Sequence, residues 1–77
     1  MKLKLFATYR RRLPEGSGGY AYDLSVSDGT RVGEVMAQFD VPTDGSAVLL
    51  VNGRAVTPER ELEEGDVVAA FPAMAGG

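Results

Sequence analysis

Cysteine and histidine are both missing from this chain. Their absence excludes disulfides, thiolate nucleophiles, imidazole bases and nearly all zinc or iron sites, so any chemistry is borrowed from another protein or carried by a chain terminus. No apolar run is long enough to span a membrane. The opening Met1-Lys2-Leu3-Lys4-Leu5-Phe6 alternates charged and apolar residues instead of forming a secretory apolar stretch. With the lack of disulfides this reads as cytoplasmic. A positive balance is missing too: eight basic against eleven acidic residues give a net charge of -3. Such a field disfavours nucleic acid and anionic membranes and suits a basic partner. The one basic cluster, Arg10-Arg11-Arg12, is either a solvated loop edge or a local contact for phosphate or carboxylate.

What is present suffices for one core. In 77 residues a second core would have too little apolar surface to offset the entropy of ordering it, so residues 1–77 are expected to form one domain. A chain this short buries only about 60% of the surface it exposes when unfolded, so spare apolar surface is informative.

Lys2 to Thr8 alternates with the period of a half-covered strand, Leu3, Leu5 and Ala7 on one side and Lys2, Lys4 and Phe6 on the other. The glycine-rich stretch through Gly19 is a loop. Tyr20 to Val26 alternates again and predicts a second strand, antiparallel to the first. Asp28-Gly29 makes a turn, Thr30 is a good N-cap, and Val32, Val35, Met36 and Phe39 form the apolar stripe of a helix ending near Asp40 and closed by Pro42. Ala47 to Val51 is apolar throughout and reads as a central strand. Asn52-Gly53 is a strong hairpin signal that pairs it with Arg54-Ala55-Val56. Glu59 to Glu64 is polar and irregular, or a short helical turn around Leu62. Val67 to Phe71 is the last strand, ended by Pro72. The order β-β-α-β-β-β fits an α+β fold of the β-grasp, ubiquitin-like kind: a mixed sheet of about five strands over one helix, first and last strands parallel at its centre.

Two features call for explanation. One helix covers one side of a sheet, yet Val48 to Val51 and Val67 to Phe71 are apolar on both parities. The uncovered side is either a partner surface or is covered by loop side chains. The second feature is the end, Ala73-Met74-Ala75-Gly76-Gly77, uncharged and unable to continue a strand stably. This tail, 73–77, is expected to be mobile and to reach at most roughly 17 Å. Glycines can thread a narrow channel, and the last group is a carboxylate. At neutral pH it is ionised and a poor electrophile, so it needs activation as a mixed anhydride with AMP before sulfur or an amine can attack. The plainer readings are terminal glycines that fray, or a cloning scar. The acidic run Glu59, Glu61, Glu63, Glu64 and Asp66 is either solvated surface or a contact for a basic partner.

In this order and spacing the residues resemble the MoaD/ThiS group of ubiquitin-like sulfur carriers, and within it the small subunits of molybdopterin synthase. The resemblance runs almost end to end. It rests on Leu5-Phe6-Ala7 before an arginine-bearing loop, Asp28-Gly29-Thr30 with Val32, Leu50-Val51-Asn52-Gly53, Glu64-Gly65-Asp66-Val67-Val68, and Phe71-Pro72 leading to Gly76-Gly77. It implies a carrier that is not itself an enzyme and binds no cofactor or metal of its own. The partners it implies are an adenylating enzyme of the ubiquitin-activating kind, which uses ATP and Mg, a sulfur donor protein, and the molybdopterin synthase large subunit. Gly77 would bear the reactive carbonyl and Gly76 the thin approach to it. Phe71, with Pro72, Met74 and Phe6, would meet the partner. Ala73 departs from the pattern, because these small subunits often have a second proline there.

Thiamine-pathway carriers, which serve thiazole synthase, are the second option; they are commonly shorter and lack the Phe-Pro. Other relatives serve cysteine or tungsten-cofactor synthesis or become attached to lysines. A ubiquitin-like interaction module with an unmodified tail is the option from a different class.

Overall fold

The computed structural model describes residues 1–7, 9 and 21–73. Among these residues five strands and a helix follow one another: β1 (Lys2–Leu5), β2 (Ala21–Asp23), α1 (Val32–Gln38), β3 (Ala47–Val51), β4 (Arg54–Ala55) and β5 (Val67–Pro72). They form a mixed sheet in the order β2-β1-β5-β3-β4. β1 and β5 are parallel neighbours at its centre, with Leu3 opposite Val68, as expected from the sequence. The remaining pairings are antiparallel. This is the β-grasp arrangement.

Period-two alternation sorts the side chains. Leu3, Leu5, Leu49, Val51, Val68 and Ala70 turn inward, where Val32, Val35 and Met36 of α1 meet them, all buried. Leu62 closes one end of this core and Val41 another. Phe39, the fourth residue of the apolar stripe, is half-buried with its ring edge-on to Tyr22 at 6.2 Å.

Several boundaries differ from the expectation, each for a visible reason. β1 stops at Leu5, before the expected Thr8, which lies outside the described residues. Ala7 takes a positive φ of 53° and turns the chain, so it is exposed instead of continuing the inward row. β2 is shorter than Tyr20 to Val26, and Tyr20 lies outside the described residues. The pairing nonetheless extends to Leu24, which exchanges hydrogen bonds with Met1: the amide donates at 2.9 Å and the carbonyl accepts from the Met1 ammonium at 2.8 Å. The loop 10–19, with Arg10, Arg11 and Arg12, also lies outside the described residues.

Thr30 is not the N-cap. That position is Arg31, in extended conformation and with no side-chain cap. The free N–H groups of the first helical turn find main-chain partners instead: Val32 donates to the Arg60 carbonyl at 2.9 Å and Gly33 to the Pro58 carbonyl at 2.8 Å. Thr30 contributes its carbonyl, which accepts the Leu62 N–H at 2.7 Å. At its other end α1 closes with Asp40 at φ 56° and the Val41 N–H donating back to Met36 at 2.9 Å, a left-handed cap that acts before Pro42 is reached.

Pro72 is the last residue of β5, one past the expected end at Phe71; it lies opposite Ala47 of β3, and the Ala73 N–H still donates to Ser46 at 3.0 Å. What Pro72 ends is the ladder on the other side. Lys2 and Phe6 donate to the carbonyls of Asp66 and Ala70, so the next donor from β5 toward β1 would be residue 72, which has no N–H. The Phe6 carbonyl it would have met accepts from Tyr9 at 3.0 Å instead.

Candidate functional site

Among the described residues nothing covers the side of the sheet opposite the helix, the open face, and its side chains follow from register. Lys4 lies across from Ala69 on β5, Leu50 lies across from Ala69 on β3, and Val48 lies across from Phe71. These positions, with Val67 and Phe6, share one face, and most are half-buried because neighbouring side chains shade one another. Lys4, Phe6, Leu50, Val67, Ala69 and Phe71 line a shallow depression of about 450 Å³. Phe6 and Phe71 meet edge-on, centroids 6.4 Å apart and planes at 78°. This pair stands at the end of β5 where the chain departs through Pro72 and Ala73.

The sequence-predicted site residues therefore divide into two groups. Phe6, Phe71 and Pro72 come together at the C-terminal end of the central strand pair, on or beside the open face. Met74, Gly76 and Gly77 lie outside the described residues. Leu50, Val67 and Ala69 belong to the uncovered apolar side that the sequence offers as a partner surface, whereas Lys4 was missed as a lining residue. The signal was available, since Lys4 shares parity with Phe6, and a parallel pairing of the first and last strands puts that parity beside Val67, Ala69 and Phe71.

The far end of β5 is clamped. The Asp66 carboxylate, 6% exposed, accepts the Glu63 N–H at 2.8 Å on one oxygen and the Asn52 side-chain amide at 2.9 Å on the other. Arg60 stands 3.9 Å away. The Glu63 N–H, then the Asn52 amide, and after them the charge of Arg60, hold the Asp66 carboxyl below its ordinary pKa, against the opposing effect of burial. Asn52 does more than turn the β3–β4 hairpin at φ 53°: its side-chain oxygen accepts the Val67 N–H at 3.0 Å, and its own N–H donates to the Val67 carbonyl at 2.8 Å.

A second depression, of about 630 Å³, lies at that clamped end between Asp28, Gly29 and the loop from Arg60 to Glu64. It is wide, polar and remote from Phe71. Among the described residues no group of acidic side chains is disposed to hold a metal ion, and no helix is long and apolar enough to cross a membrane.

A family model, the ThiS family, matches residues 3–77, nearly the whole chain and through its final glycine. The chain belongs to the ThiS family. This ThiS-family chain is thus one of a group of small ubiquitin-like sulfur carriers that are not themselves catalysts. Its fold is that of solved relatives. SAMP1 from Haloferax volcanii superposes with a TM-score of 0.75 at 23% identity, covering 100% of this chain and 98% of the other. A putative molybdopterin converting factor subunit 1 from Pyrococcus furiosus gives 0.72 at 26% identity over 95% of each chain. The Haloferax volcanii protein HVO 2177 gives 0.69 at 30% identity, covering 100% of this chain and 87% of its own. No curated protein matches the chain.

Proposed function

We propose that this ThiS-family chain carries sulfur on its C-terminal carboxylate for molybdopterin synthesis, with residues 1–77 acting as one cytoplasmic carrier domain and 73–77 as its delivery tail. The observation that carries the reading is the family match running through Gly76 and Gly77 in a chain with no thiol or imidazole of its own. The likeness to a molybdopterin converting factor subunit at 26% identity supports the pterin pathway.

An oxygen of the Gly77 carboxylate attacks the α-phosphorus of ATP on an adenylating partner that also holds the Mg ion, and pyrophosphate leaves. Sulfide-level sulfur from a donor protein then attacks the acyl carbon. A C–S bond forms, the C–O bond to AMP breaks, and AMP leaves with the electron pair, giving the thiocarboxylate. Gly76 supplies the narrow, unbranched approach that a partner's channel requires. Phe71, with Phe6, Pro72 and Met74, forms the contact on which the molybdopterin synthase large subunit docks. The chain binds no cofactor itself.

ATP-dependent pyrophosphate exchange with the organism's own activating enzyme tests this, comparing the native chain with one lacking Gly77, followed by intact mass after a sulfur donor is added. The expected result is exchange that requires Gly77 and a mass gain equal to one oxygen replaced by sulfur. Absence of exchange with a demonstrably active enzyme would leave a ubiquitin-like interaction module as the better account. The resemblance to thiamine-pathway carriers, with the match to the ThiS family, supports one second reading, delivery to thiazole synthase. Capture by immobilised thiazole synthase, and not by the molybdopterin synthase large subunit, would select it.

A further inference from the structure

The open face carries a charge that an apolar docking surface does not need. Both lysines of the chain, Lys2 and Lys4, are on β1 and point to this face, Lys2 exposed and Lys4 half-buried in the wall of the depression beside Phe6 and Phe71. The one ion pair among the described residues is Arg60 with Asp66, so neither ammonium has an ion-pair partner among them. The strands themselves bring a single carboxylate to this face, the exposed Asp23 on edge strand β2, opposite Lys2 and not Lys4. The acidic loop residues Glu59, Glu61, Glu63 and Glu64 precede β5, whereas Lys4 is level with Ala69. Three residues of strand past Asp66 is about 10 Å, roughly one Debye length at physiological ionic strength, so the loop screens Lys4 little.

We infer that the surface docking on the open face, as proposed above, presents a carboxylate to Lys4 at the centre of an apolar contact. The inference rests on that docking reading and follows from the position of Lys4. A partner that covers Phe6, Leu50, Val67, Ala69 and Phe71 also covers Lys4, and an ammonium removed from water without a counter-charge is costly. The partner is therefore acidic at the contact, although the chain's net charge of -3 favours a basic one at long range. A second copy does not meet the requirement. Two such faces brought together would set Lys2 and Lys4 of each against the other, with only the edge residue Asp23 to answer them.

The test uses the molybdopterin synthase large subunit of the same organism as the probe and calorimetric affinity as the readout, on the native chain and on Lys4→Arg, Lys4→Met, Lys4→Glu and Phe71→Ala, each verified as folded by circular dichroism. Glu34→Lys, on the exposed side of α1, serves as a remote charge control. Loss of a partner from a covered, hydrogen-bonded charge pair predicts about 30-fold or more weakening for Lys4→Met and Lys4→Glu, near-native binding for Lys4→Arg, and no effect of the control. If Phe71→Ala weakens binding while Lys4→Met binds as well as the native chain, the face docks but no carboxylate meets Lys4, and the inference is overturned alone. If neither Phe71→Ala nor Lys4→Glu changes affinity, or the native chain does not bind, the docking reading falls and takes the inference with it. Sedimentation showing a dimer that Phe71→Ala dissolves would also overturn it, by assigning the face to a second copy.

Discussion

Replacing Asp66 with asparagine tests the clamp that fixes the start of β5. Both carboxylate oxygens are engaged, by the Glu63 N–H at 2.8 Å and the Asn52 amide at 2.9 Å, in a side chain that water barely reaches. Asparagine keeps one acceptor and turns an NH₂ group toward a donor, so one charge-assisted bond is lost and a partly buried donor is left unpaired. Those terms together cost about 2 to 3 kcal/mol. In a domain of this size that lowers Tm by about 10 to 20 °C. The pH dependence supplies an independent check. The folded-state pKa of Asp66 lies below its ordinary value of 3.8, so as pH falls the unfolded chain takes up the proton first. The contribution is complete above about pH 4 and is lost as pH drops below 3.8 toward the folded value. Urea unfolding followed by circular dichroism from pH 7 to pH 2 should show the native and Asp66→Asn chains differing most at neutral pH and converging in acid. An Asp66→Asn midpoint equal to that of the native chain at pH 7, or a constant difference down to pH 2, would refute the assignment. Asn52→Asp sharpens the test. It preserves the positive-φ turn residue but sets a second carboxylate against Asp66, so it should be less stable than Asn52→Gly at pH 7, with the order narrowing below pH 4.

Gly33→Ala would normally gain about 0.5 to 1 kcal/mol within a helix. Here a Cβ would sit 3.1 Å from the Pro58 Cβ and 3.2 Å from the Pro58 carbonyl oxygen, so the variant is expected to lower Tm, and an unchanged or raised Tm would show that the loop yields freely. Phe71→Ala removes a half-buried ring and one aromatic contact, a stability loss of about 1 to 2 kcal/mol, while partner affinity should fall by far more; equal losses in denaturant melts and binding titrations would make Phe71 a packing residue only. One residue added after Gly77 should abolish pyrophosphate exchange and leave the melting curve unchanged, whereas retained exchange would remove the terminal carboxylate from the reaction.

The fold was readable where period and turn chemistry agreed. Leu3 and Leu5 alternate with lysines, β3 is an uninterrupted apolar run, and Asn52-Gly53 is a turn that leaves little choice of geometry, with φ of 53° and 84°. The readings that failed concern main-chain partners supplied from elsewhere in the chain. Thr30 looks like a cap because its hydroxyl could accept a helix N–H, but the loop carrying Pro58 and Arg60 lies against the helix start and its carbonyls satisfy those donors. Pro72 does close β5, within one residue of the expected end, but what its missing N–H removes is the ladder to β1 alone, since a strand with two different neighbours can lose one ladder and keep the other. Asn52 was legible as a turn residue and not as a clamp, because its partnership with Asp66 and Val67 depends on a pairing between β3 and β5 that local pattern does not specify.

That division of β5 into two unequal ends bears on how a carrier of this shape would deliver its load. β5 is held on both sides, by β1 and β3, and its first residue is fixed by Asn52 and its neighbour Asp66, so the strand cannot slide without breaking the hydrogen bonds of Asn52 to Asp66 and Val67. At the other end Pro72 releases the chain from β1 while Ala73 still bonds to Ser46, so the departure point is set by β3 alone and lies beside Phe71 on the open face. A partner seated on that face therefore has the root of the tail at a fixed place. On the proposed function the carboxylate would then have only the roughly 17 Å reach of residues 73–77 to cover, which would make its entry an intramolecular step with a high effective concentration. Loosening the root by lengthening the chain between Phe71 and Gly76 should then slow transfer without weakening docking, a separation that steady-state affinity and single-turnover rates can resolve.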